Sequence, residues 1–305
     1  MTAVPPPPQP FNKPWCSYQD QVALLQKRGL IVADPVAAAN FLSHLNYYRF
    51  SGYCLAFEQA RHVFIPNTTF AQVQVAYEFD RVLRDLVTEA LELIELDLRT
   101  AIAYHFGRQH GPFGHTDHAK FFHRFHHQDW MNILHAEANR SREPFVTHFK
   151  KTYCEFPNLP IWMATEVMSF GALSRMFEGM PRCDQKVVAA RYGLQPANLA
   201  SWMHHLVYVR NLCAHHSRVW DRIWSIKPEL PASKAWQPPL LPSNNRLFAT
   251  LLILCKLLRK CPTMTTYTNQ WRQRIHDHLD HPPTAPNPQA LMDLTPNWKN
   301  HSCWT

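Results

Sequence analysis

Glycine is scarce in this chain, 8 residues of 305. Tight hairpins and bulges draw on glycine, so its scarcity argues against a β-rich fold. Long apolar runs are missing as well. The longest, Leu247 to Cys255, falls far short of the ~20 residues a membrane-spanning helix needs, which speaks against a membrane partner. The proline-rich, polar N-terminus lacks the apolar core of a signal peptide. The eight cysteines form no Cys-x2-Cys pair and no zinc-ribbon spacing. Free thiols in a reduced, cytoplasmic setting fit this usage. No internal repeat is present.

Positive charge, by contrast, is in excess. The formal net charge is +8 and the pI is near 9.1. The excess is uneven: residues 70–107 sum to −4, whereas 108–230 and 231–305 each sum to +5. Such a balance suits a polyanionic partner, and it is an argument about binding rather than about fold. The 25 prolines are also uneven, clustering at the start of the chain, in 228–242 and in 282–296.

The most informative stretch lies in the basic half. Pro196 can open a helix, because its missing N–H costs nothing in the first turn. Leu199, Trp202, Met203, Leu206 and Val209 follow at steps of three and four, the apolar stripe of an amphipathic helix. That helix delivers Arg210, Asn211 and His215 near its C-terminal end. Asn211 and His215 are four apart and share a face. Arg210 and His215 are roughly 140° apart on an ideal helix, so they converge only if the arginine curls or the helix deforms.

An arginine and a histidine at this spacing suit phosphate chemistry. Guanidinium grips two phosphate oxygens in a fork and stays charged. Imidazole exchanges a proton near neutral pH. RNA carries its own nucleophile, the 2′-OH, so the chemistry calls for no metal or other cofactor. The alternative reading puts Arg210 on a carboxylate and His215 on a buried carbonyl.

Other clusters carry weaker signals. Tyr47, Tyr48 and Arg49 could stack on nucleobases and reach a phosphate, or simply pack between helices. Thr69-x-x-Gln72 has capping-box spacing and opens a long helix over about 69–106, whose Asp85, Glu89, Glu92 and Glu95 read as a solvated face. Glu95 and Arg99 are spaced for an i,i+4 pair. His115-x2-His118 and His123-x2-His126-His127 invite a metal, but no nearby cysteine or paired carboxylate completes a four-ligand set. A mobile loop whose histidines gain charge below pH 7 is the expectation there, with no metal site.

Four long words set the motif in context. Arg210-Asn211-Leu212-Cys213-Ala214-His215-His216-Ser217-Arg218, the block Pro160 to Ser174, Asn46-Tyr47-Tyr48-Arg49-Phe50-Ser51-Gly52-Tyr53, and the entry Lys13-Pro14 with Tyr18, Gln21, Leu25, Gly29 and Leu30 occur in this order. Together they resemble the Abi family of bacterial abortive-infection proteins, of the AbiD/AbiF type, over roughly residues 12–226. That family is grouped with the all-helical HEPN superfamily, whose ribonuclease members carry an Arg-x4–6-His motif.

The resemblance implies an endoribonuclease of phage defence, toxin-like and dimeric. His215 would be the acid or base, Arg210 the phosphate clamp and Asn211 the group orienting His215, with His216 and Arg218 in supporting places. A phosphodiester transfer wants both a base and an acid, and two copies facing across a two-fold axis would supply both. It equally allows a non-catalytic RNA-binding protein, since some relatives work with a structured non-coding RNA.

The expected architecture is all-α: a disordered lead at 1–11, a HEPN-like helical domain at 12–226, a proline-rich linker at 227–242, a helical element at 243–280 and a tail at 281–305. One helix is expected over 160–178, beside the motif helix.

Overall fold

The structure, a computed structural model, describes residues 10, 12, 14–261 and 265–304. The expected lead at 1–11 thus lies outside the described residues, Pro10 excepted. The fold is all-α, as the composition suggested. Thirteen α-helices and a single two-stranded ribbon make up the regular structure of the described residues, with a few 3-10 turns.

The chain divides into two compact units, one running to Glu78 with Pro283–Pro286 added, the other holding Phe79–Pro282 and the residues from Asn287 on. The first unit opens with α1 (Tyr18–Lys27), where Ser17 and Asp20 form a reciprocal capping box. Asp34 caps α2 (Pro35–His44) and Asn46 caps α3 (Tyr47–Cys54). A short ribbon pairs β1 (Glu58–Ala60) with β2 (Val63–Phe64). The long α4 (Phe70–His110) begins at the expected capping box, Thr69 and Gln72 each bonding the other's backbone N–H. Phe50 stacks on Phe70 at 4.6 Å in this unit's core.

The second unit contains the rest of α4, then α5 (His127–Arg140), α6 (Pro144–Thr152), α7 (Ile161–Val167), α8 (Phe170–Gly179), α9 (Arg182–Arg191) and α10 (Pro196–Ala214). It closes with α11 (Leu247–Leu258), α12 (Thr265–Leu279) and α13 (Pro288–Met292). All of α11 but Lys256 is buried, so this helix is part of the second unit's core. Two tryptophans tie elements together: Trp130 Nε1 donates to Ala172 O and Trp271 Nε1 to Leu86 O. The residues after α13 also pack, burying Trp298 and Trp304. Among the described residues no helix is long and apolar enough to cross a membrane.

One expectation needs correction. The single helix over 160–178 is two, α7 and α8. Ser169 takes an extended conformation between them and caps α8 through Ala172 N–H. Its own N–H is held by both oxygens of the buried Glu137 carboxylate, at 3.2 and 3.1 Å. A charged acceptor of that kind is strong enough to fix a break. The second half, α8, packs on α10, with Gly171 against Val207.

Candidate functional site

α10 buries Leu199, Trp202, Met203, Leu206 and Val209, the stripe read from the sequence, together with His205, Leu212 and Cys213. Its opposite side is exposed at His204, Arg210, Asn211 and Ala214. Ala214 is the last helical residue and His215 the C-cap. His216 then takes a left-handed backbone conformation, φ 54°. Two bonds close the end: His216 N–H to Cys213 O at 2.9 Å and Ser217 N–H to Leu212 O at 2.8 Å. This is the Schellman pattern, in which glycine usually holds the place His216 occupies. A side chain there costs roughly 1–2 kcal/mol. The turn takes His216 out of helical register, so His215 alone continues the face begun by Asn211. Both histidines are exposed.

The chain leaving the motif is pinned by a buried carboxylate. Asp80 Oδ1 accepts the backbone N–H groups of Val219 and Trp220 at 3.0 and 2.8 Å. Its Oδ2 takes a short hydrogen bond from Arg84, one turn along α4. Asp80 is fully buried and Arg84 nearly so. Removing one partner of a buried pair leaves the other uncompensated, so this latch is stable only intact. Below the motif, burial pushes the Cys213 thiol up to about 12, which keeps it protonated and inert.

Past Trp220 the chain runs back along α10. Arg222 Nε and Ser225 N–H donate to the Tyr208 hydroxyl at 3.3 and 3.4 Å. His205, fully buried, meets Ile226 O at 2.7 Å and Thr250 Oγ1 at 2.9 Å. Glu229 N–H donates to Ser201 Oγ at 2.7 Å. Tyr208 is half-buried. Burial of its ring works to raise the phenol, but hydrogen bonds from Ser225 and Arg222 outweigh it, and the group sits below the usual tyrosine value.

Arg210, Asn211 and His215 therefore share the exposed end of one helix, but α10 stays helical to Ala214, which keeps Arg210 about 140° round from His215; among the described residues no hydrogen bond or ion pair holds the Arg210 side chain. Arg218 is half-buried with Nη1 3.8 Å from Asp221, a carboxylate that also faces Arg246 at 3.3 Å. Tyr47, Tyr48 and Arg49 belong to the first unit. There the half-buried Tyr47 hydroxyl accepts from Arg28 at 2.8 Å, Arg49 is half-buried and Tyr48 is exposed.

Around the histidine-rich segment several imidazoles have partners. His105 and His110 each place Nε2 at 2.8 Å from one oxygen of the buried Asp184. His127 donates to His115 O and His135 bonds Asn158. His115 is fully buried, and desolvation, aided by His127 and His135, pushes it down to about 4. His118, His123 and His126 are exposed. Among the described residues no group of three or more His, Cys, Asp or Glu is arranged to hold a metal ion. Glu95 and Arg99 form the expected pair, and Arg99 also donates to Thr165 O.

Sequence reasoning missed Asp80, Arg84, Tyr208 and Arg222. For Tyr208 a signal existed, since it stands three residues before Asn211 and seven before His215. For the Asp80 latch the i,i+4 spacing to Arg84 was visible, but its backbone partners lie about 140 residues away.

Residues 40–221 match the family described as Abi-like protein. The match takes in α10, the motif and the Asp80 latch, and covers more than half of the chain, which therefore belongs to this family. It is a family of abortive infection, a bacterial defence against phage. No curated protein and no solved structure shows significant similarity to the chain.

Proposed function

We propose that this chain is a HEPN-type, metal-independent endoribonuclease of phage defence, toxin-like, with a site built from two copies. The observation that carries this reading is the exposure of Arg210, Asn211 and His215 together at the end of α10, inside the Abi-like stretch. A structural role would have buried or paired them, as it does His205 ten residues earlier.

In this reading His215 of one copy takes the proton of an RNA 2′-OH, and that oxygen attacks the adjacent phosphorus. His215 of the second copy protonates the leaving 5′ oxygen, because one imidazole does not serve both sides of one phosphorus at once. Arg210 stabilises the charge gathered on the pentacoordinate phosphate, a contribution of about 3–4 kcal/mol for one such donor. Asn211 orients the imidazole. The setting is the cytoplasm, and the net positive charge draws the RNA in.

A second reading, RNA binding without cleavage in company with a structured non-coding RNA, draws on the first unit, where Tyr48 is 73% exposed beside Arg49. The test is to incubate purified protein with RNA in EDTA and identify the product ends. The proposal expects 2′,3′-cyclic phosphate (or 3′-phosphate) with 5′-OH, and DNA left intact. Cleavage that needs magnesium and leaves 5′-phosphates would overturn it. Tight binding with no cleavage would favour the second reading.

A further inference from the structure

The motif face does not stop at Asn211. On an ideal helix, residues seven apart lie within about 20° of each other and about 10 Å apart along the axis. Tyr208 and His215 have that relation, with Asn211 between them. The return segment sets Arg222 on this stripe by donating its Nε to the Tyr208 hydroxyl at 3.3 Å. The Tyr208 ring is itself held edge-on by the buried Trp224, 6.1 Å between centroids.

We infer that Tyr208 and Arg222 form a second phosphate subsite, one that holds the RNA backbone on the face shared by Asn211 and His215. The inference rests on the ribonucleic-acid reading above and deepens it. Three features favour Arg222 over its neighbour Arg218 as the cation. Only one of its five N–H donors is spent on Tyr208, which leaves a guanidinium edge for phosphate oxygens. Among the described residues no carboxylate pairs with it, whereas Arg218 faces Asp221. A guanidinium already fixed by a phenol also loses little rotamer freedom on binding. The lowered phenol is consistent with the same contact.

The test measures binding of a labelled single-stranded RNA to a His215→Ala parent, across a salt series, so that cleavage does not enter. Each phosphate contact contributes a slope of about −0.7 in log affinity against log salt for single strands. Arg222→Gln is expected to flatten the slope by about that much and weaken binding at low salt. Arg222→Lys, which keeps the charge, should restore most of the slope. Tyr208→Phe, which keeps the ring but frees the arginine, should give an intermediate loss. If Arg222→Gln leaves the slope unchanged, or if Arg218→Gln alone removes a contact, the subsite is wrong while RNA binding stands. If the parent shows no salt-dependent RNA binding, the ribonucleic-acid reading fails with it.

Discussion

His105, His110, His127 and His135 each spend a ring nitrogen on Asp184, a backbone carbonyl or Asn158, and His115 is sealed in the core. His215, at the end of α10, is exposed. The contrast repeats along α10 itself, where His205 is buried between Ile226 and Thr250. Histidine density therefore says little about chemistry in this protein. What separates the two sets is whether the fold has already used the imidazole. A ring nitrogen committed to a partner holds elements together, whereas one facing solvent on a built helix end is available to a substrate.

The sharpest way to break this comparison is to remove the histidine at the helix end. His215→Ala should lower RNA cleavage on the order of 10²–10⁴-fold, the usual worth of an acid–base group, while the melting temperature stays put. A cleavage rate within a few fold of wild type would place the chemistry elsewhere. Next in size is the latch under the exposed end. Asp80→Ala takes the acceptor from the Val219 and Trp220 amides and the buried carboxylate from Arg84, and should cost about 3–5 kcal/mol in urea denaturation. Asp80→Asn should cost less, because it keeps an acceptor for the amides. Equal stability of Asp80→Ala and wild type would show that the latch does not hold the motif's exit.

The buried set has its own signature in pH. Desolvation pushes His115 and His205 down to about 4, below the ordinary histidine value near 6.5. The unfolded chain then binds more protons between these values, so stability falls as pH falls. It is complete above about 6.5 and is lost progressively towards 4, by about 3 kcal/mol for each histidine. Urea midpoints at pH 7 and pH 4.5 measure this directly, and a flat profile would mean that these rings are not sealed from water. Smallest of all, His123→Ala and His126→Ala should each change stability by less than about 0.5 kcal/mol and leave cleavage unchanged.

What the sequence made legible followed local rules. The apolar stripe from Leu199 to Val209 placed α10 and its buried face, and the capping signal at Thr69 marked the start of α4. The break at Ser169 was not legible, because the carboxylate that fixes it belongs to Glu137, 32 residues earlier. The pairing of His105 and His110 with one carboxylate was hidden for the same reason: Asp184 lies more than 70 residues away. At the site, the identity of the exposed motif residues could be read, but not the return of Arg222 to Tyr208. Contacts made by chain reversal leave no periodicity to find.

The central claim is that the exposed end of α10, and not the histidine-rich segment, cuts RNA without a metal. Its most direct test is the cleavage rate of wild type, His215→Ala and His126→Ala on one RNA, each measured in EDTA. The account predicts that wild type and His126→Ala cut at the same rate and that His215→Ala is slower by on the order of 10²–10⁴-fold. Loss of wild-type cleavage in EDTA, or loss in His126→Ala with cleavage kept in His215→Ala, would contradict it.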